Sequence, residues 1–384
     1  MNEHSASADN MQKKHVVYIS VLLLSFALVT AAVSANIVTA PAPQAASSLS
    51  FSAPAPKAPK RLSMTAIDVG RGDALLITFP NGKHMLVDAG TKYDADTFVL
   101  PYLKSHHVKT LDAIVVTHEH DDHLEGMIEV LKSDVKVLKA YDSGFPLKKA
   151  DGTVETKLIG QYHSALTHKK VKHKVIRGGD SLQVGSSVAP SRDVKIDVLS
   201  PHQTLIKTLK SKLNELKQAA KQLAKKIISK KQFNKVKNKI LHRVLNEGCV
   251  VLRLSYGKNR FLMMGDAGSI AARDITQVHH RSVKADVLKV GHHGFGPVDT
   301  KLYSQVFTKK YNKIAIVTYG RLHRNKISTC EPWSKAVKSN LLKQGAKVYS
   351  SCKWGNITVT AYGSGNVLVS TQGLSKKNTC PACP

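Results

Sequence analysis

The sequence predicts an α/β fold built in layers. Short apolar runs of strand length recur along the chain, stretches of helical spacing separate them, and three of the runs end in histidine or aspartate. The composition permits such a fold. Of 384 residues, 42% are hydrophobic and 22% charged, which excludes a wholly disordered chain and a coiled coil. The length fits one large domain or two medium ones.

Residues 1–15 are polar and end in Lys13, Lys14 and His15, and 16–33 (VVYISVLLLSFALVTAAV) are almost wholly apolar. With the small residues Val33-Ser34-Ala35 behind it, residues 1–35 read as a signal peptide cleaved after Ala35. The alternative is an uncleaved membrane anchor, since the run approaches the ~20 residues of a membrane span. Either way the rest is expected to be secreted or held at the cell surface. Residues 36–61 are rich in Ala, Pro and Ser and read as an extended linker. The folded domain is expected over 62–372, with a cysteine-containing tail at 373–384.

Within that domain SMTAID (63–68) and ALLITF (74–79) read as buried strands. Asn81-Gly82 is a hairpin turn leading into HMLV (84–87), which stops at Asp88-Ala89-Gly90. Residues 97–107 have helical spacing, LDAIVV (111–116) is a buried strand followed directly by Thr117-His118, and 126–132 look helical. Further strands are expected at 195–199, 250–255, 260–264, 287–290, 314–318 and 357–362.

Residues 203–245 break this alternation. Ile206, Leu209, Leu213, Leu216, Ala220, Leu223 and Ile227 form a narrow apolar seam, and the register restarts with Phe233, Val236, Ile240 and Val244. Two helices, a hairpin inserted into the domain, are predicted. Residues 207–243 hold thirteen Lys/Arg against one acid, Glu215, which forfeits nearly all i,i+4 pairing. The bland reading is the solvated face of a packed helix. The favoured one is a polyanion-binding surface carrying Lys210, Lys217, Lys221, Lys225, Lys226, Lys230 and Lys231. The whole chain agrees in sign: 57 Lys+Arg against 27 Asp+Glu give a formal net charge of +30. Such a surface attracts nucleic acid, teichoic acid or anionic lipid. Phe233 is the insert's one aromatic residue, so no base-stacking platform is evident there.

Cys249 lies in an apolar run and reads as a buried thiol, while Cys330 and Cys352 would pair in an oxidising compartment. Cys380 and Cys383 form a lone CxxC, a weak redox or metal signal.

The chemistry concentrates in THEHDDH (117–123). It follows a buried strand, so His118, His120, Asp122 and His123 should sit on the turn at its carboxyl end, where α/β sheets present ligand-binding loops. Imidazoles and carboxylates packed this closely suit a borderline divalent cation: zinc first, manganese second, one or two ions in all. FLMMGDAG (261–268) runs a strand into Asp266, a carboxylate placed to bridge two ions, and VLKVGHHG (287–294) runs another into His292 and His293. No organic cofactor is expected.

These motifs, together with IDVGRGDALLITFPNGKHMLVDAG (67–90) and NEGCVVLRLSYGKNRFLMMGDAG (246–268), resemble the metallo-β-lactamase fold. More narrowly, they resemble the hydrolase domain of DNA-uptake competence proteins and their secreted relatives. The resemblance covers 62–370 apart from the basic insert. It implies an αββα sandwich in which His118 and His120 bind one metal, Asp122 and His123 a second, and Asp266 bridges them. The superfamily has a further histidine before the bridging aspartate; here the segment reads Asn246-Glu247-Gly248, so the first metal would be held weakly, or through water and Asn246. One of His292 and His293 completes the second site; His293 is preferred as ligand, with His292 as phosphate contact or acid. His323, in GRLHRN (320–325), is a substrate-side candidate, with an ordinary surface histidine as its alternative. Asp73 should order the first loop or support the ligands.

The function these readings favour is an exported metal-dependent phosphodiesterase acting on nucleic acid, DNA above all, through metal-activated hydroxide, with His292 or His323 supplying the leaving-group proton. The alternatives are a teichoic-acid or phosphocholine esterase, and a non-catalytic polyanion-binding protein. β-Lactam hydrolysis is disfavoured by the missing histidine.

Overall fold

The computed structural model describes residues 60–144, 156–184, 194–278, 283–296, 300–307, 312–319 and 334–373. The signal or anchor at 1–35, nearly all of the linker, His323 and the C-terminal tail lie outside the described residues.

Two sheets face each other. The first is built from β1 (Leu62–Ala66), β2 (Leu75–Thr78), β3 (His84–Val87), β4 (Ala113–Val116), β5 (Lys139–Asp142) and β6 (Lys172–Val175). The second contains β7 (Ser181–Leu182), β8 (Lys195–Ser200), β9 (Val251–Tyr256), β10 (Asn259–Met263), β11 (Val287–Lys289), β12 (Ile314–Val317) and β13 (Lys347–Ser350). The chain then returns to the first sheet with β14 (Ile357–Ala361) and β15 (Val367–Thr371), giving the orders β15-β14-β1-β2-β3-β4-β5-β6 and β13-β12-β11-β10-β9-β8-β7. Each sheet is antiparallel in one part and parallel in the other; β3 to β6 and β10 to β13 are the parallel runs. Carboxyl ends of parallel strands gather on one rim, and that rim carries the chemistry.

The helices cover the outer faces. The longer ones are α1 (Asp121–Lys132), α2 (Thr156–His168), α3 (Gln203–Ala224), α4 (Lys230–Glu247), α5 (Ser269–Val278), α6 (Thr300–Val306) and α7 (Lys335–Lys343), and shorter turns of helix include Ala95–Val99 and Leu100–Ser105, overlapping the stretch of helical spacing at 97–107. Alternation along the strands makes three apolar layers. Met64, Ile77, Phe261 and Ile196 fill the space between the sheets. Leu86 and Ile114 face outward onto Leu124, Met127 and Leu131 of α1, and Leu262 and Leu288 face outward onto Ala271 and Ile275 of α5. The αββα sandwich is the observed architecture.

The predicted strands appear within one or two residues of their expected bounds. The helix expected at 126 begins instead at Asp121, because the backbone N–H groups of Leu124 and His123 already bond to the His120 carbonyl. Asp122 and His123 therefore occupy the first helical turn rather than a free loop, and the carboxylates of Asp121 and Asp122 lie where the helix dipole favours negative charge.

The basic insert forms the expected helical hairpin between β8 and β9. A capping box at Ser229 and Gln232 restarts the helix. Its base belongs to the domain: Leu205, Ile206, Leu209 and Val244 are buried with Cys249, Met264 and Ala271. Its tip has a small core of its own, formed by Leu216, Ala219 and Phe233. Lys210, Lys221, Lys225, Lys226, Lys230 and Lys231 are exposed and Lys217 is half-buried. Cys249 is a free buried thiol, and Cys352 is disulfide-bonded; Cys330, its expected partner, lies outside the described residues.

Candidate metal centre

Three strand ends deliver the donors. β4 is buried along its whole length and ends at Thr117, whose backbone N–H and hydroxyl both donate to Asp88, at 2.8 and 2.6 Å. Asp88 follows β3 with φ 56, a left-handed conformation that aspartate tolerates better than bulkier residues. Its Oδ2 also accepts from His123 Nδ1 at 2.8 Å, which turns His123 Nε2 toward the centre. Helix α1 can start this close because Gly126 has no side chain: a Cβ there would collide with the Ala89 carbonyl oxygen.

Asp266 lies just beyond β10, at the focus of the group. Its Oδ1 is 3.2 Å from His293 Nε2 and 3.4 Å from His123 Nε2, and its Oδ2 is 3.8 Å from His118 Nε2 and 3.9 Å from His292 Nε2. Asp122 Oδ2 stands 3.7 Å from His293 Nε2. Two donor sets result, each with its atoms within 4.8 Å of one another: His118, His120 and Asp266, and Asp122, His123 and His293.

The GHHG turn after β11 is strained. His292 and His293 both have positive φ, 49 and 50, a conformation that costs of order 1 kcal/mol or more for a non-glycine residue. It is pinned by a bond from His292 N to the Gly265 carbonyl and by His293 Nδ1, 3.2 Å from the Thr318 hydroxyl. Thr318 in turn donates to Asp73 at 2.6 Å, and Asp73 is paired with the buried Lys289 ammonium. Asp73 therefore supports the ligands. The two histidines separate in role. His293 is buried and faces Asp266 and Asp122, while His292 is more exposed and accepts a hydrogen bond from the Asn246 amide at 3.2 Å.

A divalent ion fits this donor set. Asp266 Oδ1, His123 Nε2 and His293 Nε2 are buried without a hydrogen-bond partner among the described residues, which is costly unless something cationic satisfies them. Their mutual spacing matches donors around one ion, since two atoms ~2.1 Å from a tetrahedral centre lie roughly 3.4 Å apart. Charge balance agrees. Asp73, Asp88, Asp122 and Asp266 confront one fully buried permanent cation, Lys289.

The imidazoles respond to that field. Burial, with His123 alongside, holds His118 well below its usual value, so it stays neutral as a ligand must. Burial likewise brings His120 down to about 4, against the pull of Asp122 and Asp266. Burial is the largest single influence on His123 and His293 and opposes charge, but the surrounding carboxylates together outweigh it, Asp266 with Asp88 and Asp122 at the first and Asp266 with Asp73 at the second, so both are raised. His293 is pushed up to about 9. Protons held there occupy the place a cation would take, and metal binding would release them.

Two residues not anticipated from the sequence belong to this region. Asp88 orients His123 and Thr117, although in the sequence Asp88-Ala89-Gly90 marks only where a strand stops. His242 lies on α4 one turn before Asn246, with its ring centroid 4.9 Å from that of His120 and 5.8 Å from that of His292. Its i,i+4 spacing from Asn246 on a helix leading into the divergent motif was the available clue. Glu247 in that motif caps α5, accepting from Ile270 and Ala271 N–H at 3.2 and 2.7 Å.

Known proteins share parts of this architecture. Residues 67–188 match the model of the metallo-beta-lactamase superfamily. ComE operon protein 3 of Bacillus subtilis (strain 168) is 24% identical over 276 residues, which take in 67% of this chain and 28% of that protein. The chain thus spans well under half the length of that relative. Among solved structures, CmlA, a diiron beta-hydroxylase from Streptomyces venezuelae, is 11% identical with a TM-score of 0.42, over 78% of this chain and 54% of that one. A metallo beta lactamase from Hirschia baltica is 13% identical with a TM-score of 0.28, over 64% of this chain and 91% of its own. The segment that matches the superfamily model lies within the αββα sandwich, the architecture of the metallo-beta-lactamase fold, and contains the turn that bears His118, His120, Asp122 and His123.

Proposed function

We propose that this protein is an exported metal-dependent phosphodiesterase that cleaves DNA, with the basic hairpin holding the polyanion beside the metal centre. One observation carries the reading. Helix α4 bears exposed Lys230 and Lys231 in its first turn and, near its other end, His242 and Asn246 beside His120 and His292. A strand gripped by the lysines would lie along the same helix that reaches the donors. The likeness to ComE operon protein 3 and the apolar run at 16–33 support the same reading.

In this proposal His118, His120, Asp122, His123, His293 and Asp266 would hold one or two divalent ions, zinc first and manganese second. Such ions, when bound, lower the pKa of a coordinated water and neutralise phosphoryl oxygens. Asn246 fixes the His292 ring, which faces the substrate as phosphate contact or acid. His242 stands across from it as a second substrate-side imidazole. The hairpin lysines bind backbone phosphates without reading sequence, so affinity should fall steeply with salt.

The test incubates the full chain with labelled duplex DNA, single-stranded DNA, RNA and teichoic acid, with zinc or manganese and with chelator. The expected result is DNA shortening that chelator stops. DNA that binds yet survives intact with either metal sinks the nuclease reading, and preferential release of teichoic-acid fragments would establish the cell-wall alternative.

A further inference from the structure

A second group of nitrogen and oxygen donors lies at the far edge of the first sheet and shares no residue with the metal centre. Asp142 ends β5, and His173 lies in the edge strand β6. The parallel register sets Ala140 opposite His173 and Asp142 opposite Val175, so the Asp142 and His173 side chains rise on one face as diagonal neighbours. Lys172 and Lys174 alternate to the other face, away from that pair. Helix α2 packs over the first face through Tyr162 and Leu166, next to Ala140, and brings His163 to the same place, its ring centroid 5.4 Å from that of His173.

The result is a compact triad. His173 Nε2 is 2.6 Å from Asp142 Oδ2, and one donor atom each from Asp142, His163 and His173 lies within 4.8 Å of the other two. An ordinary ion pair accounts for Asp142 and His173 but not for His163, whose ring nitrogens have no hydrogen-bond partner among the described residues. Tyr162, buried and with an unpartnered phenol oxygen, sets its ring edge-on to His173 and closes the apolar side. Gly144 N donates to the other Asp142 oxygen at 2.8 Å and fixes the carboxylate.

We propose that Asp142, His163 and His173 form a peripheral divalent-cation site, separate from the catalytic centre. Two imidazoles and a carboxylate suit zinc, cobalt or nickel rather than calcium or magnesium, which prefer all-oxygen sites. Three protein donors on an exposed face leave room for water as a further ligand. The site would be a clasp. β6 is exposed at every residue and, among the described residues, pairs with β5 alone, and an ion shared by β5, α2 and β6 fastens that edge to the sheet.

Zinc binding to the full chain tests this, in a background where His118→Ala, His123→Ala, Asp266→Ala and His293→Ala break both central donor sets and Cys380→Ser and Cys383→Ser remove the tail thiols. The proposal expects one equivalent of zinc to remain bound, and cobalt in its place to give the visible absorption of a nitrogen- and oxygen-liganded ion. Adding His163→Gln, an exposed helical position that should not disturb folding, is expected to weaken zinc binding by about tenfold or more. His163→Gln with His173→Gln should abolish it. No bound zinc in the background protein, or zinc retained unchanged by the double glutamine variant, overturns the proposal.

Discussion

The metal centre and the basic hairpin sit next to each other but are built by opposite rules. In the centre a second group orients many of the ligands: Asp88 turns His123, Thr318 and Asp73 hold His293, and the Glu247 cap ties the end of α4, with Asn246, to α5. The donors are mostly buried, and the positions of their atoms matter to fractions of an ångström. On the hairpin six of the seven lysines named above are exposed and Lys217 is half-buried, and among the described residues the hairpin carries the ion pair Lys212–Glu215. Rigid placement suits the bond cleavage proposed for the centre, whereas exposed, unpaired charge suits the polymer contact proposed for the hairpin. The centre should therefore fail at single substitutions, and the hairpin should fail gradually.

The largest effect is expected at Asp266. Replacing it with Ala removes the one carboxylate that faces both donor sets and leaves four imidazoles to share its place. We expect turnover to drop on the order of a thousandfold, a loss of about 4 kcal/mol, while DNA binding persists. Gel-shift and cleavage assays on one preparation separate the two, and equal loss of both would mean that the centre also builds the binding surface.

Next comes Asp88→Asn, which keeps a hydrogen-bond acceptor for His123 but removes its charge. Metal affinity should fall by about 10–100-fold with the fold intact, as read by titration against a competing chelator. Unchanged affinity would make Asp88 an anchor for Thr117 alone.

How legible these regions were follows from the same contrast. THEHDDH, GDAG and GHHG announce themselves because ligand chemistry allows few residue types, and the strands leading to them are apolar enough to be read alone. β5 (KAYD) and β6 (KHKV) carry no such signal: β6 is exposed throughout, so nothing selects an apolar alternation there. Asp88 and His242 were missed because their roles arise from pairing across 35 residues in one case and from where a helix ends in the other. The lysines of the hairpin were visible as composition. That its base is core was not, because Leu209 and Val244 look like any seam residues until β10 and α5 pack beneath them. Deleting the whole hairpin would uncover that core, so charge substitution is the cleaner probe.

Accordingly, Lys221, Lys225, Lys226, Lys230 and Lys231, all changed to Ala, should weaken DNA binding by tens of fold at low salt. Each lost phosphate contact on duplex DNA should flatten the log–log salt slope by about 0.9, with turnover of a small chromogenic diester unchanged. Any one of the five alone should cost only a few-fold, and a single lysine that accounts for the whole loss would contradict the picture of distributed, exposed charge.

His242 belongs to both regions and gives the smallest and most discriminating effect. It rides on the lysine-rich helix, yet its ring stands over His120 and His292 at the rim of the centre. If it contacts the scissile phosphodiester, His242→Ala should lower kcat about tenfold on DNA and on the small diester alike, with metal content unchanged. If it acts only as one more cationic or polar contact for the polymer, KM for DNA should rise and the small diester should be indifferent. His242→Gln, which keeps a hydrogen-bonding amide but cannot carry the proton, separates the first case further: it should restore KM without restoring kcat. A loss of bound metal in either variant would instead put His242 among the ligands, in the place left open where the superfamily has a histidine and this chain has Asn246.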